Sequence, residues 1–176
     1  MWLFLAALFM LFAATVVAYI IIRLTALETP AYGAIQLPSI LWISTLVMIA
    51  SSVTMQFALW SIRKGAQERF KRDMVATSVL AFLFLVMQTP GLTQLLSEHH
   101  EQMNQRMHFY GLIFFIVLLH ALHVIGGLIP LMVSLRKALQ SKYTQESHQG
   151  IEFLTMYWHF LDGVWIVLFA TFFIMK

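Results

Sequence analysis

Five long apolar runs, separated by short polar stretches, account for most of the chain. They fall at about Trp2–Ile22, Ser39–Ile62, Met74–Leu96, His108–Leu135 and Ile151–Met175. Each is close to the ~20 residues that a helix needs to cross a hydrocarbon layer. Because unpaired backbone groups are costly in lipid, a chain crosses as helices or as a closed barrel. The runs are continuous and do not alternate, which selects helices. The pattern predicts an all-α membrane protein, a single domain over residues 1–176 built as a bundle of five transmembrane helices. The first run has no basic residue ahead of it and reaches Ile22 before Arg23, so it reads as a retained span and not as a signal peptide. The connections, Arg23–Pro38 (with Pro30 and Gly33), Arg63–Asp73, Ser97–Met107 and Arg136–Gly150, are too short for a soluble domain, and no internal repeat is visible.

Composition sharpens this reading. Sixty per cent of the 176 residues are hydrophobic and 11% are charged, with a mean hydropathy of +0.80. A water-soluble core could not hide that much apolar surface. The net charge of +3 matters less than its placement. Arg63, Lys64, Arg69, Lys71 and Arg72 sit in the second connection and Arg136, Lys137 and Lys142 in the fourth, against Arg23 and Arg106 in the first and third. By the positive-inside rule this asymmetry sets orientation, with the N-terminus cytoplasmic and Lys176 external, and does not imply a nucleic-acid partner. Trp2, Tyr19, Trp42, Trp60 and Tyr143 fall near span ends, where aromatic rings favour the headgroup level. Cysteine is absent, which excludes thiolate catalysis, disulfides, iron–sulfur clusters and a two-cysteine copper site.

Polar groups inside the spans are the candidate chemistry, since an ionisable side chain at mid-bilayer costs roughly 2.5–3.5 kcal/mol even on the lenient insertion scale. His148, Glu152, Thr155, His159 and Asp162 recur every three or four residues and form one stripe of the fifth helix, with Asp162 near its middle. His120 and His123, three apart, are followed on the fourth by Gly126 and Gly127. One reading has the two stripes facing each other, so that His120 and His123 meet His159, Glu152 or Asp162 in a buried network that locks the helices. A second treats the histidines as metal or heme ligands of a stand-alone b-type heme membrane redox protein. A third is a proton relay in a small carrier, using Glu152, His159 and Asp162. In the second span, Ser44, Thr45, Ser51, Ser52, Thr54 and Gln56 read as helix packing, and Gln88, Pro90 and Gly91 as a kink in the third.

Tyr157-Trp158-His159-Phe160-Leu161-Asp162 with Val164-Trp165, preceded by His148, Gly150 and Glu152, resembles the last-helix signature of the third subunit of heme–copper oxidases. The preceding segment, His120-Ala121-Leu122-His123-Val124-Ile125 with Gly127, is similar to that family's paired-histidine segment, with Ala121 in place of a usual glycine. The opening Met1-Trp2-Leu3-Phe4-Leu5-Ala6, ending in Tyr19 and Arg23, and Ser51-Ser52-Val53-Thr54-Met55 with Ala58 are similar as well, so the likeness covers nearly the whole chain.

The resemblance implies a short five-helix bacterial form, without two N-terminal helices of longer relatives, in the cytoplasmic (inner) membrane. It implies an accessory subunit of a cytochrome c or quinol oxidase, with no catalytic residue, metal or heme of its own. Heme and copper would lie in the partner catalytic subunit I, beside subunit II, and the first two spans here would touch the catalytic subunit. Bound phospholipid in a cleft, support of proton uptake and protection of the catalytic subunit are further implications. The expected site is then a structural network of His120, His123, His148, Glu152, His159 and Asp162, with Tyr157, Trp158, Trp165, Gly127, Ser51, Ser52, Thr54 and Gln88 as packing positions. Two departures stand out. Leu8 occupies the place of a usual buried glutamate, and Gln88 is followed by Thr89, Pro90 and Gly91 with no nearby acid. The missing glutamate and short form also suit the accessory subunit associated with nitric oxide reductases.

Overall fold

A computed structural model describes residues 2–26, 40–101 and 107–174. Pro30, Gly33, Pro38, Ser39, Arg106, Met175 and Lys176 lie outside them. The described residues form five helices: α1 (Trp2–Ala26), α2 (Ile40–Arg63), α3 (Gln67–Glu101), α4 (Met107–Leu139) and α5 (Gln149–Ile174). Four of them, α1, α2, α4 and α5, are long and apolar enough to cross a membrane. The apolar stretch of α3 packs along α2 and α4 in the same bundle. That α3 runs unbroken through Pro90 means the ring removes one backbone donor, a defect that a membrane helix tolerates when neighbours supply polar partners.

Local sequence explains the turns at the basic end. Past Arg63, Gly65 takes a left-handed φ of 73°, while Ala66 N donates to Ser61 O and Gly65 N to Ile62 O. This closes α2 with the glycine-type cap and sends the chain straight into α3. α4 ends in the same way with Ser141 at φ 54° and Lys142 N donating to Lys137 O.

α2, α3, α4 and α5 pack as a ring of neighbours, and among the described residues α1 packs against α4 and α5 alone. α5 runs antiparallel to α2, as the pairs Glu152–Arg63, Trp158–Ser51 and Trp165–Thr45 show. It runs parallel to α1, with Phe4 beside Tyr157 and Tyr19 beside Phe172. Two buried clusters stack along the bundle. One holds Met55, Ile62, Phe70, Met74, Leu131 and Ile151 at the basic end, and the other holds Phe12, Met48, Phe84, Ile116, Leu161 and Trp165 beyond it. The outer surface is apolar, with Leu3, Leu46, Phe82 and Ile129 each more than 60% exposed. Such a surface suits lipid, not water.

Candidate functional site in the helix interfaces

The polar stripe of α5 faces α2. His159 Nε2 lies 3.0 Å from Gln56 Oε1 and Nδ1 lies 2.6 Å from Ser52 Oγ. An amide oxygen only accepts, so Nε2 carries the proton and donates to Gln56. The bare Nδ1 of the neutral ring then accepts from the Ser52 hydroxyl. Directly before His159, Trp158 Nε1 donates to Ser51 Oγ at 3.1 Å, and six residues after it Trp165 Nε1 donates to Thr45 Oγ1 at 3.1 Å. Thr54 accepts a hydrogen bond of 2.9 Å from Thr77 of α3. Of the second-span hydroxyls, Thr45, Ser51, Ser52 and Thr54 are therefore acceptors and donors that fasten α5 and α3 to α2, while Ser44 bonds Leu41 O of its own helix.

At the basic end, Arg63 Nη2 donates to Glu152 Oε1 at 2.6 Å, and His148 Nε2 sits 3.3 Å from the same oxygen. Both Arg63 and Glu152 are partly exposed. Tyr143, whose backbone oxygen accepts from Gln67 Nε2, reaches back to Ser134 with its hydroxyl.

The α4 histidines are elsewhere. His120 is buried inside an aromatic box of Phe12, Phe84 and Trp165, its ring stacked on Trp165 at 5.1 Å. His123 Nδ1 donates to Leu119 O at 2.7 Å, and its ring meets the edge of Phe12. Among the described residues no hydrogen bond links His120 or His123 to Glu152, His159 or Asp162. α4 and α5 are joined instead by the Tyr157 hydroxyl, which donates to His123 O at 2.9 Å. Gly127 makes room for that ring, since a Cβ there would stand 2.7 Å from Tyr157 Cε1.

Asp162 lines a small interior cavity with room for about one water molecule, together with Met48, Ser51, Phe84, Val124, Trp158 and Leu161. Gln88 is buried on α3, and among the described residues its amide has no hydrogen-bond partner. Among the described residues no group of three or more His, Cys, Asp or Glu side chains is placed to hold a metal ion. Two apolar grooves are among those that score the surface. One, of about 570 Å³, lies between α4 and α5 and includes His123, Gly126, Phe153 and Tyr157. The other, of about 480 Å³, lies between α1 and α5 and includes Phe9, Val16, His159 and Gly163.

Fold and interfaces together define a multi-pass helical membrane protein, bolted by polar side chains between α2 and α5. The family model for cytochrome c oxidase subunit III matches residues 1–176, and the chain belongs to that family. Relatives include "Cytochrome c oxidase subunit 3" of Corynebacterium diphtheriae, 36% identical over 128 residues (72% of this chain, 61% of the relative). The protein of the same name from Carassius auratus is 34% identical over 131 residues (73% and 48%). "Probable cytochrome c oxidase subunit 3" of Nocardia farcinica is 34% identical over 133 residues (75% and 64%). The chain thus spans about half to two thirds of the length of the curated relatives it matches.

Proposed function

We propose that this chain is an accessory subunit of a respiratory heme–copper oxidase in a bacterial cytoplasmic membrane, with its N-terminus cytoplasmic and oxygen reduction carried out by partner subunits I and II. The observation that carries the reading is the family match over all 176 residues; relatives from two bacteria support the setting. The chain's contribution is structural. Its polar interfaces hold a rigid bundle for the catalytic subunit to pack on, and its apolar grooves offer seats for phospholipid acyl chains. It carries no catalytic centre, heme or copper, and its part in proton uptake is to support a path that lies in its partner.

The test is a reduced-minus-oxidised absorbance spectrum of the tagged chain, purified in mild detergent and again after a harsher detergent has stripped its partners. Heme signal that is strong in the first sample and lost in the second is expected. Heme that stays with the isolated chain would make the histidines ligands and overturn the reading.

A further inference from the structure

His123 and His159 each line an apolar groove, but they present it with different chemistry. In the α1–α5 groove both ring nitrogens of His159 are spent, on Ser52 and on Gln56, so that groove suits a plain hydrocarbon chain. In the α4–α5 groove His123 has bonded one nitrogen. Nδ1 is 2.7 Å from Leu119 O, and a carbonyl oxygen only accepts, so Nδ1 carries the proton and Nε2 of the neutral ring is a bare acceptor. Among the described residues Nε2 has no hydrogen-bond partner. The side chain is half-buried and lines the groove, which leaves Nε2 open to whatever fills it.

Depth and surroundings narrow the occupant. His123 stands near the middle of the apolar span Gly111–Leu139, thirteen residues, about 20 Å, along α4 from Arg136 in the basic last turn. The phosphate and glycerol of a phospholipid stay at the headgroup level, so its tails pass His123 and leave the acceptor unbonded, which costs free energy in hydrocarbon. Phe4 and Tyr157, stacked with ring centroids 6.1 Å apart, line the same groove with Phe153, and such ring surfaces favour a flat aromatic partner. The Tyr157 hydroxyl spends its proton on His123 O, so at this depth the groove shows an acceptor and no donor. The Ser134 hydroxyl lies eleven residues, about 16 Å, farther along α4 toward the basic end. The volume of about 570 Å³ is that of an ordinary small-ligand pocket. A fitting occupant carries a hydroxyl to mid-bilayer depth, on a flat ring, with a hydrocarbon tail.

We propose that the α4–α5 groove binds a membrane hydroquinone, with a ring hydroxyl donating to His123 Nε2 and the ring lying among Phe4, Phe153 and Tyr157. The quinone form has carbonyl oxygens where the hydroquinone has hydroxyls. Two acceptors brought together leave both unbonded, so the site selects the reduced form. Moving the proton to Nε2 does not rescue the quinone, because Nδ1 would then face Leu119 O with no proton between them. Gly126 keeps the groove open, since a Cβ there meets nothing within 4 Å. This is binding alone, with no bond made or broken. It rests on the membrane-spanning setting of the chain and not on the oxidase reading, which the heme spectrum tests separately.

Anaerobic photolabelling of the full chain in its native complex tests the site, using a hydroquinone whose decyl tail carries a diazirine and scoring only peptides of this chain. Label is expected on the α4 and α5 segments that flank the groove, roughly tenfold or more stronger for the hydroquinone than for the same probe as quinone. A decyl alcohol with the same diazirine, which offers a hydroxyl without a ring, is expected to label as weakly as the quinone. His123→Phe, which keeps a ring against Phe12, is expected to bring the hydroquinone down to the quinone level, and Gly126→Phe, which fills the groove, to abolish labelling by both. The two redox forms compared on the wild type decide the matter if neither variant assembles. Equal labelling by hydroquinone and quinone, equal labelling by the alcohol, or label confined to other segments would overturn the proposal.

Discussion

Trp158 and Trp165 show what a single polar atom contributes inside lipid. Each buries a large ring in the core and spends its one N–H on a hydroxyl of α2. Trp158→Phe keeps most of the ring and removes the donor, and is expected to destabilise the fold by about 1 kcal/mol, in the range measured for hydrogen bonds between membrane helices. SDS titration of the protein in mixed micelles reads this directly. His159→Ala strips partners from both Ser52 and Gln56, and a larger loss of about 1–3 kcal/mol is expected. In mild detergent, less of that variant should co-purify with its complex. Retention equal to the wild type would mean that the His159 bonds do not hold the bundle together.

These residues were legible in the sequence as polar groups at helical spacing. Their partners were not. The α5 stripe has neighbours on both sides, and periodicity along one helix says nothing about which neighbour it meets. The histidines on α4 suggest α4 as the partner, whereas Trp158, His159 and Trp165 bond to Ser51, to Ser52 with Gln56, and to Thr45 of α2. The run of small polar residues on α2 was the available signal. Nothing in the sequence marked His120 for an aromatic box, because Phe12, Phe84 and Trp165 come from three different helices.

At the scale of helices, small residues set how closely two axes approach. Gly127 and Gly126 are adjacent in sequence but differ in surroundings. A methyl group at Gly127 would collide with the Tyr157 ring, which its hydrogen bond to His123 O holds in place. A methyl group at Gly126 meets nothing within 4 Å. Gly127→Ala is expected to cost about 1–3 kcal/mol by overpacking, and Gly126→Ala to stabilise by about 0.5–1 kcal/mol through backbone entropy. Paired SDS titrations would show opposite signs. The extent of the apolar runs announced the helices themselves, but not that α3 passes through Pro90 without a break.

For the molecule as a whole, the basic turns between α2 and α3 and between α4 and α5 lie at one end of the bundle, joined by Arg63, Glu152 and His148. The group is partly exposed, so its attraction is modest and weakens with salt. Arg63→Gln should therefore lower the melting temperature more in dilute buffer than in 0.5 M salt, a difference that thermal scans at the two ionic strengths would reveal. Orientation is open to a separate check. Lys64 and Lys142 should react with a membrane-impermeant amine reagent in inverted vesicles and stay protected in right-side-out ones; the opposite result would reverse the assigned topology.

The packing of α1 also constrains the order in which the protein is made. α2 and α3 are joined by a three-residue turn and packed along one another, so they can enter the bilayer as a finished hairpin while the ribosome is still working. α1 is made before the other four helices, yet its partners are α4 and α5, which emerge after α2 and α3. Until α4 and α5 are made, its face for them stays unmatched, a long-range contact of the kind that slows assembly. A membrane insertase or holding chaperone that shelters an orphan helix would find its client in α1.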